Sequence, residues 1–270
     1  MTDSMPVRSK ADAMRITAIL MLCIVAAGCV SQRQGTFASG NPEQAEEDYV
    51  RLGLAYIQND RYDRARQHLD RALEINDESA PAIAAKALIN EEQGEYDLAE
   101  QRFRRALDLE PEYTRGRSHF GVFLYNRGRY EEALEQFRKA SEDTDYDSRA
   151  GVFVNLARTA SQLDRHDEAA DAYKRAMKLR RGSTTAHIGA VTALIDAGRY
   201  AEARPLYRRL TMRIERSREL SHTPASLLAG IRLARESGEE REASGLVEQL
   251  RERFPDSEEY QQYRTMVTDE

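Results

Sequence analysis

Residues 60–76 read DRYDRARQHLDRALEIN, residues 94–110 read GEYDLAEQRFRRALDLE, and residues 128–144 read GRYEEALEQFRKASEDT; the three align without a gap. Three more segments follow the same pattern: DRHDEAADAYKRAMKLR from Asp164, GRYAEARPLYRRLTMRI from Gly198 and GEEREASGLVEQLRERF from Gly238. Their starts are 34, 34, 36, 34 and 40 residues apart. Five places into each stands a small residue: Ala65, Ala99, Ala133, Ala169, Ala203 and Ala243. Four further on comes a bulky one: Leu69, Phe103, Phe137, Tyr173, Tyr207 and Val247. Three beyond that are Ala72, Ala106, Ala140 and Ala176, replaced by Leu210 and Leu250 in the last two segments. Steps of four and three keep these positions on one face of a helix. Each segment is therefore an amphipathic helix whose apolar stripe cannot be buried by the unit alone, and stacking of neighbours supplies the core.

Thirty-four residues is the tetratricopeptide period, and the residue sizes at these positions resemble that family's signature. Pro111 and Pro255 stand where that pattern ends a helix. The fold class expected is all-α: a right-handed superhelical solenoid of six tetratricopeptide helical hairpins with a short C-terminal capping helix. The units fall at about 46–79, 80–113, 114–147, 150–183, 184–217 and 224–257, and the whole solenoid at 46–267. The two-residue insertion near 145–148 reads as a loop at one edge. The longer one at 216–223 reads as an added turn or a bend.

Upstream of the repeats the chain changes character. Arg8, Lys10 and Arg15 precede an apolar run at 16–27, followed by Ala26, Ala27, Gly28 and Cys29. A basic stretch, a short apolar run and small residues at its end make a secretory signal. The run is too short to span a bilayer, which takes roughly 20 apolar residues. Small residues directly before a cysteine resemble the lipobox of bacterial lipoproteins, so 1–28 reads as a lipoprotein signal peptide and Cys29 as the acylated first residue. Initiation at Met14 would leave a compact signal. Cleavage removes Cys23, so the mature chain has no disulfide. Three positive and two negative side chains leave with the signal, taking the formal charge from −6 to −7. In lipoprotein sorting, a residue other than Asp after the cysteine, here Val30, implies the outer membrane. Residues 29–45 are polar, small and unpatterned and read as a flexible tether.

Composition and motifs narrow the function. With 32% charged residues and a net negative charge, the chain lacks the concentrated basic surface that nucleic acid requires. The five histidines, His68, His119, His166, His187 and His222, fall in different repeats with neither HxxxH nor HExxH spacing. No phosphate-binding glycine loop follows a strand. The neighbouring pairs Glu91-Glu92 and Glu131-Glu132 do not face each other on a helix. The reading is not an enzyme: no catalytic residue, no metal, no cofactor and no small-molecule substrate.

Function then falls to surface, and in this fold the first helix of each hairpin lines the concave side. The repeat register places Val50, Leu54 and Ile57, then Ala84 and Leu88, then His119, Val122 and Tyr125 at inward positions. The trough is apolar, suited to an amphipathic helix or a hydrophobic peptide. Repeats that clamp a peptide carboxylate present Lys, Asn and Arg instead, and only Arg115 could take that part. The partner-binding set is thus Val50, Leu54, Ile57, Ala84, Leu88, Val122 and Tyr125.

The stretches at 119–137 (HFGVFLYNRGRYEEALEQF), 139–157 (KASEDTDYDSRAGVFVNLA), 226–244 (SLLAGIRLARESGEEREAS) and 253–263 (RFPDSEEYQQY), together with the lipoprotein-like signal, resemble the PilF/PilW family of type IV pilus biogenesis and stability proteins. That resemblance implies a pilotin. It would be a monomeric escort, lipid-anchored at the periplasmic face of the outer membrane, that binds the pilus secretin and promotes its localisation and multimerisation. The alternative is another outer-membrane tetratricopeptide lipoprotein, a scaffold in barrel assembly or cell-wall synthesis.

Overall fold

The computed structural model describes residues 41–268, and among these every regular element is a helix. In chain order they are α1 (Pro42–Ile57), α2 (Tyr62–Ile75), α3 (Ala80–Glu92), α4 (Tyr96–Leu109), α5 (Thr114–Asn126), α6 (Tyr130–Glu142), α7 (Arg149–Gln162), α8 (His166–Leu179), α9 (Thr184–Asp196), α10 (Tyr200–Arg216), α11 (Pro224–Glu236), α12 (Glu240–Arg253) and α13 (Glu258–Thr268). Successive pairs form hairpins. The second helix of one hairpin packs on the first helix of the next, as α2 does on α3, α6 on α7 and α8 on α9. First helices also meet along the array, α3 with α5, α5 with α7, α7 with α9 and α9 with α11. This is the tetratricopeptide solenoid expected from the period. Its last hairpin is closed by α13 against α11.

The turn inside each hairpin is set by one residue. Asp60, Gly94, Gly128, Asp164, Gly198 and Gly238 all have φ between 55 and 77°, the left-handed region that suits glycine. The next amide then reaches back five residues, as Glu95 N–H does to Asn90 O at 2.8 Å and Arg129 N–H to Leu124 O at 2.9 Å. That bond caps the first helix and aims the second in one step. The repeated small residues do the packing work. Ala65, Ala99, Ala133, Ala169 and Ala203 have no exposed surface, and Leu69, Phe103 and Phe137 beside them are buried. Val247 departs from its equivalents in being half-buried. Among the described residues only α13 follows it, and the core there is the small cluster of Leu227, Ile231 and Leu250. A longer core runs from α3 to α11, with Phe103 5.5 Å from Phe120 and 5.7 Å from Phe123 between ring centres.

One boundary differs from the sequence reading, and one insertion takes a form that reading gave it. α1 begins at Pro42, inside the stretch read as tether, because Asn41 accepts the Glu43 N–H on its side-chain oxygen at 3.1 Å and Pro42 takes the first helical position. The insertion after the fifth repeat begins with the added turn read there: α10 runs to Arg216 and has 17 residues where its counterparts α2, α4, α6, α8 and α12 have 13 or 14. Cys29, the signal and residues 29–40 of the tether lie outside the described residues.

Candidate functional site

The first helices of the hairpins carry the trough, and the register of α1 brings Val50 and Leu54 to the wall of a cleft of about 550 Å³. The opposite wall comes from later repeats: Pro81 at the start of α3, the α4–α5 junction from Glu112 to Arg115, and Asp143 and Tyr146 between α6 and α7. Val50 is nearly covered, at 6%, by the first repeat's core, whereas Leu54 is half-buried. Behind them Gly53 meets Leu69 so closely that a Cβ would come within 2.6 Å of Leu69 Cδ2. A larger residue there would have to displace the buried Leu69 side chain for α1 to settle onto α2.

The cleft's polar groups are largely acidic: Glu46, Glu47, Glu112 and Asp143 against Arg51 and Arg115. Glu46 accepts Asn76 Nδ2–H at 3.1 Å, and Asp48 on the same helix holds Arg51. Thr114 donates its hydroxyl to Asp143 Oδ2 at 2.6 Å, and that bond holds the Asp143 carboxyl below its usual range. Tyr113 packs over Gly116, where a Cβ would lie 2.3 Å from Tyr113 Cδ1. Burial pushes its phenol up to about 12, so the ring presents a neutral hydroxyl.

A second, narrower crevice of about 50 Å³ holds Val122 and Tyr125 with Asn126, Phe137, Asn155 and Arg158. The Arg158 guanidinium sits 5.1 Å above the Tyr125 ring, and Tyr130 meets the same ring edge-on at 5.2 Å. Asn126 donates to Glu91 Oε1 at 3.2 Å, although burial raises the Glu91 carboxyl above its ordinary value.

The seven trough residues thus divide. Val50 and Leu54 share the larger cleft and Val122 and Tyr125 the smaller. Ile57 and Leu88 are half-buried against the two cores and line neither. Ala84, at 2% exposure, is part of the core beneath the trough and has no surface to offer a partner. An alanine between Ile83 and Ala85, both buried as well, is enclosed because α3 packs on helices before and after it. His119 is half-buried, and its imidazole is held below the usual histidine range by burial and by Arg115. The sequence reading stopped the trough at the third repeat. Arg158 stands at Val122's register, 36 residues on, and could have been found by continuing it. Tyr113, Asp143 and Tyr146 lie between helices, where periodicity gives no signal.

Among the described residues no group of three or more His, Cys, Asp or Glu is placed to hold a metal. Among the same residues no helix is long and apolar enough to cross a membrane.

Fold and trough together define a tetratricopeptide-repeat protein, and family profiles for the tetratricopeptide repeat match residues 46–79, 80–113, 115–182 and 160–223. The type IV pilus assembly protein PilF of Pseudomonas aeruginosa is 30% identical over 257 residues, covering 93% of this chain and 98% of the relative. The chain belongs to the PilF/PilW family of tetratricopeptide proteins of type IV pilus biogenesis. The solved structure of Pseudomonas aeruginosa PilF superposes with a TM-score of 0.69 at 31% identity, over 83% of this chain and 99% of that one. PilW, a type IV pilus biogenesis factor, gives 0.64 at 24% identity over 82% and 98%. YrrB, described as having an unusual peptide-binding site, shares the fold at 0.61 and 18% identity over 73% and 97%.

Proposed function

We propose that this protein is the pilotin of a type IV pilus: it binds the pilus secretin in the trough and, through an acylated Cys29, holds it at the periplasmic face of the outer membrane. The observation that carries the reading is the cleft of about 550 Å³, which three successive repeats build around Val50 and Leu54. A single hairpin could not make such a surface, and a cleft with an apolar patch between charged walls suits the uptake of an amphipathic segment of another protein. Membership of a pilus-biogenesis family supports the choice of partner. Two or three acyl chains on Cys29 give stable anchoring where one is marginal, and the polar residues that follow it give reach. The residues assigned to partner contact are Val50, Leu54, Ile57, Leu88, Val122 and Tyr125.

The test is the state of the secretin in cells. In unheated outer-membrane fractions, deletion of the gene is expected to leave secretin monomers, and Cys29→Ser to leave multimers scarce or mislocalised. Normal multimers in the outer membrane of the deletion strain would overturn the reading. For the trough, Leu54→Glu combined with Leu88→Glu is expected to abolish secretin binding with an unchanged circular dichroism spectrum. Retained binding would move the site elsewhere.

A further inference from the structure

At the other end of the array, between α10 and the α11–α12 turn, lies a crevice of about 380 Å³. Its inner wall carries two polar atoms that are buried and have no hydrogen-bond partner among the described residues: the Tyr207 hydroxyl and the Arg204 Nε. Tyr207 is 7% exposed, and the two residues stand three apart on α10, on one helix face. The hydroxyl reaches the backbone of α11 at Gly230, where a Cβ would fall 2.0 Å from Tyr207 Oη. Packing does not call for that hydroxyl, since Leu69, Phe103 and Phe137 fill the same register in the first three repeats with no polar atom there. A buried donor left unmade costs about 1–3 kcal/mol, so two side by side in an open crevice point to a ligand.

The remaining charges say which kind. Glu239 and Glu242 line the crevice together with Arg208, while Arg204 is paired through its terminal nitrogen with Glu236. Burial and the neighbouring Glu239 raise the Glu242 carboxyl, and Glu242 is near enough to add to the upward push that burial gives the Tyr207 phenol. A carboxylate entering here would meet Glu239 and Glu242. A cation alone would leave the Arg204 N–H unanswered and face Arg208. A peptide group satisfies both sides, its carbonyl accepting from Tyr207 and Arg204 and its N–H donating to Glu242.

We propose that this crevice is a second recognition site, which binds an extended main-chain segment of a protein partner through Tyr207, Arg204 and Glu242. Taking that partner to be the secretin rests on the pilotin reading; the main-chain site itself does not. The first probe is therefore acetyl-triglycine-amide, a bare peptide main chain, titrated at millimolar concentration into the ¹⁵N-labelled full chain. The Gly230, Ser237 and Glu242 amides are expected to shift on saturation, and Tyr207→Phe to weaken the effect about tenfold with a melting temperature at or above wild type. Glu242→Gln should weaken it similarly. Saturating shifts that survive Tyr207→Phe, or none in the wild type, would overturn the proposal and leave the crevice to water. In the second arm the same variants are tested against the purified secretin subunit. Peptide binding without secretin binding to the wild type refutes the pilotin reading alone. Secretin binding that Leu54→Glu/Leu88→Glu abolishes and Tyr207→Phe leaves untouched, with no triglycine response, refutes the crevice alone.

Discussion

Six residues hold the hairpin turns, and four of them are glycine; Asp60 and Asp164 adopt the same left-handed backbone at φ 56 and 55°. For a residue with a Cβ that conformation costs roughly 1–2 kcal/mol, with Asp among the more tolerant. Asp60 recovers part of this by accepting the Tyr62 hydroxyl at 3.0 Å, a bond that pushes the Tyr62 phenol up to about 12. Asp164 has only a 3.8 Å approach to His166. Asp164→Gly is therefore expected to raise the unfolding free energy by about 0.5–1 kcal/mol, after allowing for the greater freedom glycine has when unfolded. Gly128→Ala, at φ 72° with open space around it, is expected to lower it by about 1 kcal/mol from backbone strain alone. Urea midpoints at constant m-value measure both. Equal midpoints for wild type and Gly128→Ala would mean that the turn does not depend on this conformation.

The helices of a hairpin are started by different devices. Among the first helices, α1, α3, α9 and α11 have a side-chain cap: Asn41 accepts from Glu43 N–H at 3.1 Å, and Ser79 from Ala82 N–H, Ser183 from Ala186 N–H and Thr223 from Ser226 N–H, each at 3.2 Å. The second helices of the hairpins, α2, α4, α6, α8, α10 and α12, have none and depend on the turn that precedes them. In α11 the cap is reciprocal, with Thr223 N–H donating back to Ser226 Oγ at 2.9 Å. Thr223→Ala is expected to cost about 1 kcal/mol. Faster hydrogen exchange confined to the first turn of α11 would show that the loss is local; uniform acceleration along the array would not. The second helices were legible in the sequence because a fixed face of Ala and Leu or Phe repeats in each. The first helices were harder to delimit: α3 and α9 are apolar nearly all round, since they are packed on both sides, and such a helix has little periodicity to read. The start of α1 escaped because Asn41-Pro42 is a local cap signal inside a stretch without periodicity. The trough was legible in part for the same reason. Register found Val50, Leu54, Val122 and Tyr125, while Tyr113 and Tyr146 enter the cleft from connections whose course the period does not specify.

From the second hairpin to the fifth, successive hairpins are tied by ion pairs between second helices or the residues that cap them. Arg129 reaches Glu100 at 2.6 Å, Arg138 reaches Glu168 at 2.7 Å, Lys174 reaches Glu202 at 2.6 Å and Arg199 reaches Asp167 at 2.9 Å. These pairs are partly exposed, so each is worth little singly, and the pH dependence near neutrality comes from elsewhere. His68, His119, His187 and His222 are all held below the usual histidine range, and in each the largest cause is burial. His68 lies against Tyr56 at 5.1 Å in the first hairpin, and His187 Nδ1 is 3.1 Å from Ser183 O at the start of α9. A group with a depressed folded-state value is neutral when folded at a pH where the unfolded chain already takes up a proton. Its contribution is therefore complete above the unfolded value of about 6.5 and is lost as pH falls through it. The carboxylates of Glu100, Glu132 and Glu202 are depressed by their cationic partners, so they add a second loss in the same direction, beginning only below about 4.3. The melting temperature is accordingly expected to be flat from pH 8 to 7, to fall between pH 6.5 and 5, and to fall again below about pH 4.5. His119→Gln should flatten the first fall and leave the second in place. A profile flat down to pH 5 in the wild type would show that the buried histidines take up protons with no cost to the fold.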